Sequence, residues 1–285
     1  MAKINPQNVI LLHHFRRFLQ AAAGRGIDVA PLKGAHMLTS VYPPGEDRPM
    51  MDVDFLVRPG QFEAACELLA EQGFSRILYR GRAVTERRNY EAFFTRRAGD
   101  VEVIIEPHRH LVQPARHPID HDALWARSTP SELDGEPCRR LAAEDHLLHA
   151  VIHLMTHRFL APDRALRDLE LLVRGGVDLS LVEARARRWR CRRATWLTLT
   201  LLQHQAPDLD LAAVAARLKP PALVRAALQA LVLPGEGFVL RGLNIRGGQA
   251  VLWPLLLDGL RPMLGFGVRF AWIRLQDLAE QLRER

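Results

Sequence analysis

Arg48-Pro49-Met50-Met51-Asp52-Val53-Asp54-Phe55-Leu56-Val57 sets two carboxylates into an otherwise apolar run. The run reads as a strand from Met50 to Val57, ended by Pro59 and Gly60. Side chains alternate along a strand, so Asp52 and Asp54 share one face while Met51, Val53 and Phe55 turn to the core. Two acids aimed at one spot repel unless a cation lies between them, and burying them uncompensated is costly. Carboxylate oxygens suit Mg²⁺, which takes one or two of them together with substrate phosphates. The spacing therefore makes a divalent-metal platform, although Asp-x-Asp also occurs at strand ends with both acids solvated.

Three neighbours of this strand sharpen the reading. An apolar run, Ile27 to Leu32, reads as a strand, and Lys33-Gly34 then leads into a short helix from Ala35 to Val41. A glycine at such a turn lets backbone approach a ligand, amides at a helix start favour phosphate, and Lys33 adds a point charge. Arg48 stands four residues before Asp52, where its guanidinium can fork onto a phosphate or pair with the aspartates. Glu106 ends a strand from Asp100, on the same face as Glu102 and Ile104. Laid beside the Asp52–Asp54 strand, it completes a three-carboxylate cluster of the kind that holds two metal ions.

The rest of the N-terminal half alternates helices and strands, as in an α/β or α+β sheet domain. A helix is expected over Asn8 to Ala23, stopped by Gly24 and Gly26, and another after Phe62, closed by Gly73. Tyr90 to Arg96 and Asp100 to Glu106 read as strands joined by a turn at Gly99-Asp100. The loop from Tyr42 to Pro49 holds three prolines and a glycine and is irregular. From about Ile119 the pattern turns helical, with helices over Leu141–His157, Asp163–Val173, Leu179–Gln205 (capped by Asp178) and Leu211–Leu218. Two domains are expected, 1–118 and 119–285.

The quoted residues carry a resemblance. Pro31-Leu32-Lys33-Gly34, Tyr42-Pro43 and Arg48 to Val57 resemble the bacterial uncharacterised nucleotidyltransferase family of the DNA polymerase β-like superfamily. Ile105-Glu106-Pro107-His108, the helix containing Glu144 to His153, and Leu166-Arg167-Asp168-Leu169 extend the likeness over roughly Leu32 to Cys191. That family implies an α+β fold, a mixed sheet flanked by helices and followed by a helical domain that shapes the acceptor site. It implies transfer of a nucleoside monophosphate from an NTP to an acceptor, with Mg²⁺ (or Mn²⁺) and release of pyrophosphate. On this resemblance Asp52, Asp54 and Glu106 hold the metals and Lys33 and Gly34 line the triphosphate; Arg48 and His108 join them on the nucleotide side. Two departures stand out: Gly34-Ala35 replaces the superfamily's Gly-Ser, and the third acid is Glu106 followed by Pro107, where Asp is commoner. They leave room for a nucleotide- or RNA-binding module that keeps the fold without turnover.

Other features have plainer explanations. His146, His149, His153 and His157 lie on one helix, where packing competes with metal binding. His108 is a candidate proton shuttle or partner of a catalytic aspartate, or a structural histidine. Asp168 is expected to pair locally with Arg164 or Arg167, with a supporting role at the site as the alternative. Arg185, Arg187, Arg188, Arg190, Arg192 and Arg193 crowd around Trp189 as a solvated face or an RNA surface.

Composition sets the bounds. With 285 residues, 48% hydrophobic and 25% charged, the chain can bury a sizeable core. Its 39 Lys and Arg against 32 acids give +7, which suits an anionic partner or simply an Arg-rich genome. Cys66, Cys138 and Cys191 are far apart, odd in number and without a Cys-x-x-Cys pair, so neither a disulfide framework nor a thiolate zinc site is indicated, and a reducing cytoplasm fits best. The N-terminal segment carries charges rather than a leader's apolar stretch. Gly247 to Leu257, the longest uncharged apolar-rich run, falls short of the roughly 20 residues a membrane span needs. The expected partners are an NTP and an acceptor, whether small molecule, peptide or RNA end; the sequence leaves the acceptor and the oligomeric state open.

Overall fold

The computed structural model describes residues 5–77, 90–114, 116–160, 163–242, 245–259, 264 and 268, apart from the side chains of 245, 246 and 249. The chain is a mixed α+β protein that divides into two compact units: Met1–Ala150 with Arg167–Val182, and Val151–Leu166 with Glu183–Arg285.

The first unit is built on a five-stranded sheet of order β1-β2-β5-β4-β3. Its strands are β1 (Val29–Pro31), β2 (Val53–Val57), β3 (Ser75–Arg76), β4 (Phe94–Ala98) and β5 (Val101–His108). β2 runs parallel to β5 and antiparallel to β1, and β4 is antiparallel to both its neighbours. Helices α1 (Pro6–Gly24) and α3 (Phe62–Glu71) pack on one face. Leu11, Phe15, Phe18 and Leu19 from α1 and Leu68 and Leu69 from α3 share one apolar cluster with Val53, Phe55, Val103 and Ile105. That burial, not helix propensity, holds the helices in place. Phe18 and Phe55 meet with ring centroids 4.7 Å apart, the tilted contact aromatic quadrupoles favour.

Element types follow the sequence pattern, and their ends shift. β2 starts at Val53 rather than Met50, so alternation does not reach Met51: this side chain is 66% exposed, not turned to the core, and Met50 is buried instead. The strand expected from Tyr90 begins at Phe94. The stretch after Ile119 is not helical throughout. After α4 (His121–Ala126), Thr129–Leu133 and Glu136–Arg140 form a hairpin, β6-β7, turned by Asp134 at φ 49° and Gly135 at φ 85°. Leu133 joins the main cluster, so this hairpin belongs to the sheet unit's core.

Helices α5 (Ala143–Thr156), α6 (Asp163–Arg174), α7 (Leu179–Arg188) and α8 (Arg192–Gln205) follow. Asp178 Oδ1 accepts from the amides of Ser180 and Leu181, the expected cap. The long helix expected over Leu179–Gln205 is broken. Arg190 adopts φ 55°, the Cys191 amide bonds back to Ala186, and Asp258 accepts from the amides of Arg192 and Arg193 to start α8. The arginine-rich stretch therefore spans two helices. Arg187 bonds Glu183 and the Arg217 carbonyl, Arg192 the Lys219 carbonyl, and Arg193 the Leu255 carbonyl, while Trp189 is buried. The second unit adds α9 (Ala212–Leu218), α10 (Ala222–Leu231), a two-stranded ribbon β8-β9 (Val232–Leu233, Gly237–Phe238) and α11 (Ile245–Leu256). The stretch from Val251 to Ile273, rich in Leu, Trp and Phe and expected from its sequence to pack or dimerise rather than attach to a membrane, lies mostly outside the described residues. No helix among the described residues is long and apolar enough to cross a membrane.

Inside the first unit His36 of α2 (Lys33–Ser40) stacks on His146 of α5, with centroids 3.5 Å apart and planes 2° from parallel. Burial, then the charge of Arg140, lowers His36 to about 3. Burial, with His36, His149 and Arg140, holds His146 well below its ordinary value. Both rings fold neutral. An unfolded chain takes up protons below about 6.5 that the folded one refuses, so stability falls as pH drops from there toward 3, by about 1.4 kcal/mol per pH unit through His36, with His146 acting in the same direction. Urea midpoints measured across that window should decline with acid, and His36→Phe, which stacks but does not titrate, should flatten the slope. An unchanged slope would mean that the His36 ring titrates normally.

Candidate active site

Alternation on β2 and β5 builds the site. Val53, Phe55, Val103 and Ile105 face the helices, so Asp54, Glu106 and His108 take the opposite face. The parallel register sets Asp54 directly beside Glu106. Asp54 is 1% exposed and Glu106 8%. Ligand atoms of Asp54, Glu106 and His108 lie within 4.8 Å of one another. The His108 ring reaches back along the sheet: Nε2 is 3.0 Å from Asp54 Oδ1, and Nδ1 is 3.6 Å from Glu91 Oε2. Asp52 stands just before β2, half-buried and outside that tight group. It is close enough for the charges of Asp54, Lys33, Arg48 and His108 to act on it.

Electrostatics separates the three acids. Burial, then the charges of Asp54 and Asp52, pushes the Glu106 carboxyl up to about 9, against the pull of Lys33. Burial also raises Asp52, and Asp54 adds to it. For Asp54 burial works in the same direction, but Lys33 and His108 outweigh it and keep the carboxylate ionised well below its usual range. Lys33 is the counter-charge: Nζ donates to Asp54 Oδ1 at 2.5 Å. Burial disfavours its ammonium, yet Asp54 and Glu106 hold the proton on it.

The turn that delivers Lys33 is strained. Its φ of 42° lies in the left-handed region a lysine seldom visits, a cost that surrounding packing must hold in place. At Gly34 two side chains of the chain itself approach closely. A Cβ there would lie 2.5 Å from Arg48 Nη1 and 2.7 Å from Met50 Cγ. Ala35 is fully buried in the apolar cluster.

Arg48 is committed to an acid the sequence placed elsewhere. Its Nη2 and Nε donate to Asp168 at 2.7 Å and 3.2 Å, and the Tyr42 hydroxyl donates to the same carboxylate at 2.8 Å. Asp168 thus pairs with Arg48, 120 residues away in the sequence. Arg167 instead pairs with Glu46. Two consecutive residues of α6 so grip the proline-rich loop before the acids. Asp168 stood out as an acid in an apolar helix and Tyr42 as part of the Tyr42-Pro43 match; Glu91 carried no signal.

The donor set suits a divalent cation. Buried carboxylates gathered at one point, with Glu106 forced toward protonation, form a charge excess that a cation would relieve. Oxygen donors match Mg²⁺ or Mn²⁺, with His108 available as a nitrogen neighbour.

Several solved structures resemble the chain at low identity. An antigenic nucleotidyltransferase-like protein from Paracoccidioides brasiliensis is 16% identical, covering 72% of this chain and 92% of its own, at a TM-score of 0.46. The solution structure of the antibiotic-resistance factor ANT(2″)-Ia is 14% identical, covering 69% and 98%, at 0.43. ANT(2″)-Ia in complex with adenylyl-2″-tobramycin is 13% identical, covering 64% and 97%, at 0.41. No curated protein matches significantly. Residues 1–207 match the family described as uncharacterised nucleotidyltransferase, and with most of its length inside that match the chain belongs to this nucleotidyltransferase family.

Proposed function

We propose that this chain transfers a nucleoside monophosphate from an NTP to an acceptor and releases pyrophosphate, using Mg²⁺ or Mn²⁺ held by Asp52, Asp54 and Glu106. The observation that carries the reading is the parallel pairing that sets Asp54 beside Glu106, with Lys33 at 2.5 Å and Asp52 near. In the reaction a new acceptor–phosphorus bond forms at the α-phosphate while the bond to the β-phosphate oxygen breaks, in line. A bound divalent ion would acidify the attacking group and offset charge on the phosphates. The residues mainly position: His108 orients the Asp54 carboxylate, and Lys33 and the start of α2 meet the triphosphate. Arg48 is assigned to the nucleotide through the side of its guanidinium next to Gly34. Acceptor choice is assigned to the domain from residue 119 onward.

A second reading is a nucleotide-binding module without turnover, favoured by the commitment of Lys33 and Arg48 to acids of the chain itself. The RNA-surface reading draws less support, because Arg187, Arg192 and Arg193 are engaged within the chain.

The test is a thermal-shift titration of each NTP, with and without Mg²⁺, on wild type and on Asp52→Asn/Asp54→Asn. Ligand at a hundredfold excess over its Kd should stabilise wild type by about 2.7 kcal/mol, in a metal-dependent way that the double variant loses. An equal shift in both proteins would sink the site assignment. Binding without pyrophosphate release for every acceptor offered would favour the second reading.

A further inference from the structure

Asn8 sits in the first turn of α1 and is fully buried, an unfavourable place for an amide unless all its polar atoms are satisfied. The hydrogen bonds of that amide go to the segment before the acids. Nδ2 donates to the Arg48 carbonyl at 3.0 Å and to Asp47 Oδ1 at 2.8 Å, and Oδ1 accepts from the Met50 amide at 3.0 Å. The two main-chain bonds straddle Pro49, which has no N–H of its own to offer. Asn8 thereby brackets the backbone much as a neighbouring strand would.

What hangs from this bracket matters for the site. On one side Arg48 sends its guanidinium to Asp168 and past Gly34. On the other, the buried Met50 packs on the same glycine, and two residues later comes Asp52. Asp52 lies outside β2, so the sheet ladder does not fix it as it fixes Asp54. Its backbone is set by what holds residues 47–50.

We propose that Asn8 is a positioning residue for the metal site, placing Asp52 relative to Asp54 and Glu106 by bracketing Arg48 and Met50. The inference rests on the reading of this site as one that binds a divalent metal with an NTP. Mg²⁺ and Mn²⁺ sites tolerate little displacement of their carboxylates, and loss of an outer support commonly weakens metal affinity about 10- to 100-fold. Folding is less sensitive, because α1 is held chiefly by its apolar face. Affinity should therefore fall further than stability.

The experiment compares wild type, Asn8→Leu and Asn5→Ala. Asn5 caps the same helix by accepting from the Gln7 amide, so its loss reports on helix stability. Mn²⁺ is titrated in the presence of ATP, GTP, CTP or UTP and followed by the paramagnetic resonance of free Mn²⁺. Melting temperature and hydrogen exchange of the Met50 amide are read on the metal-free proteins. Expected are a Kd raised about 10- to 100-fold and a deprotected Met50 amide in Asn8→Leu, against a lower melting temperature with wild-type affinity in Asn5→Ala. If Asn8→Leu does not fold, the smaller change Asn8→Ala carries the comparison. Folded Asn8 variants that bind Mn²⁺ and nucleotide as wild type does would overturn the proposal while leaving the site reading intact. No binding by wild type with any of the four nucleotides would overturn both.

Discussion

Asp54→Asn should lower stability by about 3 kcal/mol, read as a drop in the urea midpoint, because it strips the counter-charge from Lys33. The Lys33 side chain is 20% exposed and its ammonium sits 2.5 Å from a carboxylate that is 1% exposed. Removing one partner of such a pair leaves a charge with little water to replace it, and partial exposure of Lys33 puts the cost at the lower end of the usual range. The Asn8 and sheet contacts are untouched by this change, so the loss reports on the contacts of the carboxylate with Lys33 and His108. Lys33→Met combined with Asp54→Asn should then recover roughly half of it, since an apolar side chain needs no counter-charge. Affinity for Mn²⁺ should stay lost in the double variant. That split separates the charge pair's structural duty from the carboxylate's chemical one. Strict additivity of the two single changes would show that the ammonium and carboxylate are not coupled.

Asp168→Ala is expected to cost a similar amount, about 3 kcal/mol, for a different reason. One carboxylate accepts from Arg48 at two nitrogens and from the Tyr42 hydroxyl, and both charged side chains are largely buried. Its removal orphans a guanidinium fork and a phenol together. Arg48→Lys should also fall short of wild type, because an ammonium is a point charge and cannot meet both oxygens. Arg48 cannot easily relax elsewhere: it runs over Gly34, and Gly34→Ala would push a methyl within 2.5 Å of its Nη1. Chemical denaturation of Asp168→Ala, Arg48→Met and their combination measures the coupling. A double variant no more stable than the sum of the single losses would remove the fork from this account.

These two variants also bear on the charges at the site. Both cations assigned to the triphosphate are held by acids of the chain, Lys33 by Asp54 and Arg48 by Asp168. A nucleotide arriving with a divalent ion would trade with these contacts. On the proposed reading, an ion held by Asp54 would supply the counter-charge that Lys33 supplies here, freeing the ammonium for the phosphates.

Much of this was legible in the sequence because it depends on local periodicity. Asp54 and Glu106 each fall one position from apolar neighbours that must face the helices, so burial of Val53, Phe55, Val103 and Ile105 forces both acids onto the opposite face. The Lys33 turn, the Asp178 cap and the Gly99-Asp100 turn are equally local. Tertiary structure decided what periodicity does not encode. Strand ends were set by where ladder partners stop, which left Met51 exposed and Asp52 outside β2. The break at Arg190 was set by Asp258 capping α8 from 66 residues away. The partner of Asp168 was set by a loop 120 residues distant, and Gly34 is glycine because of Arg48 and Met50, which only the fold brings over it. Sequence spacing determines which face a residue takes; hydrogen bonds and ion pairs between distant segments form only once packing has set those faces against each other.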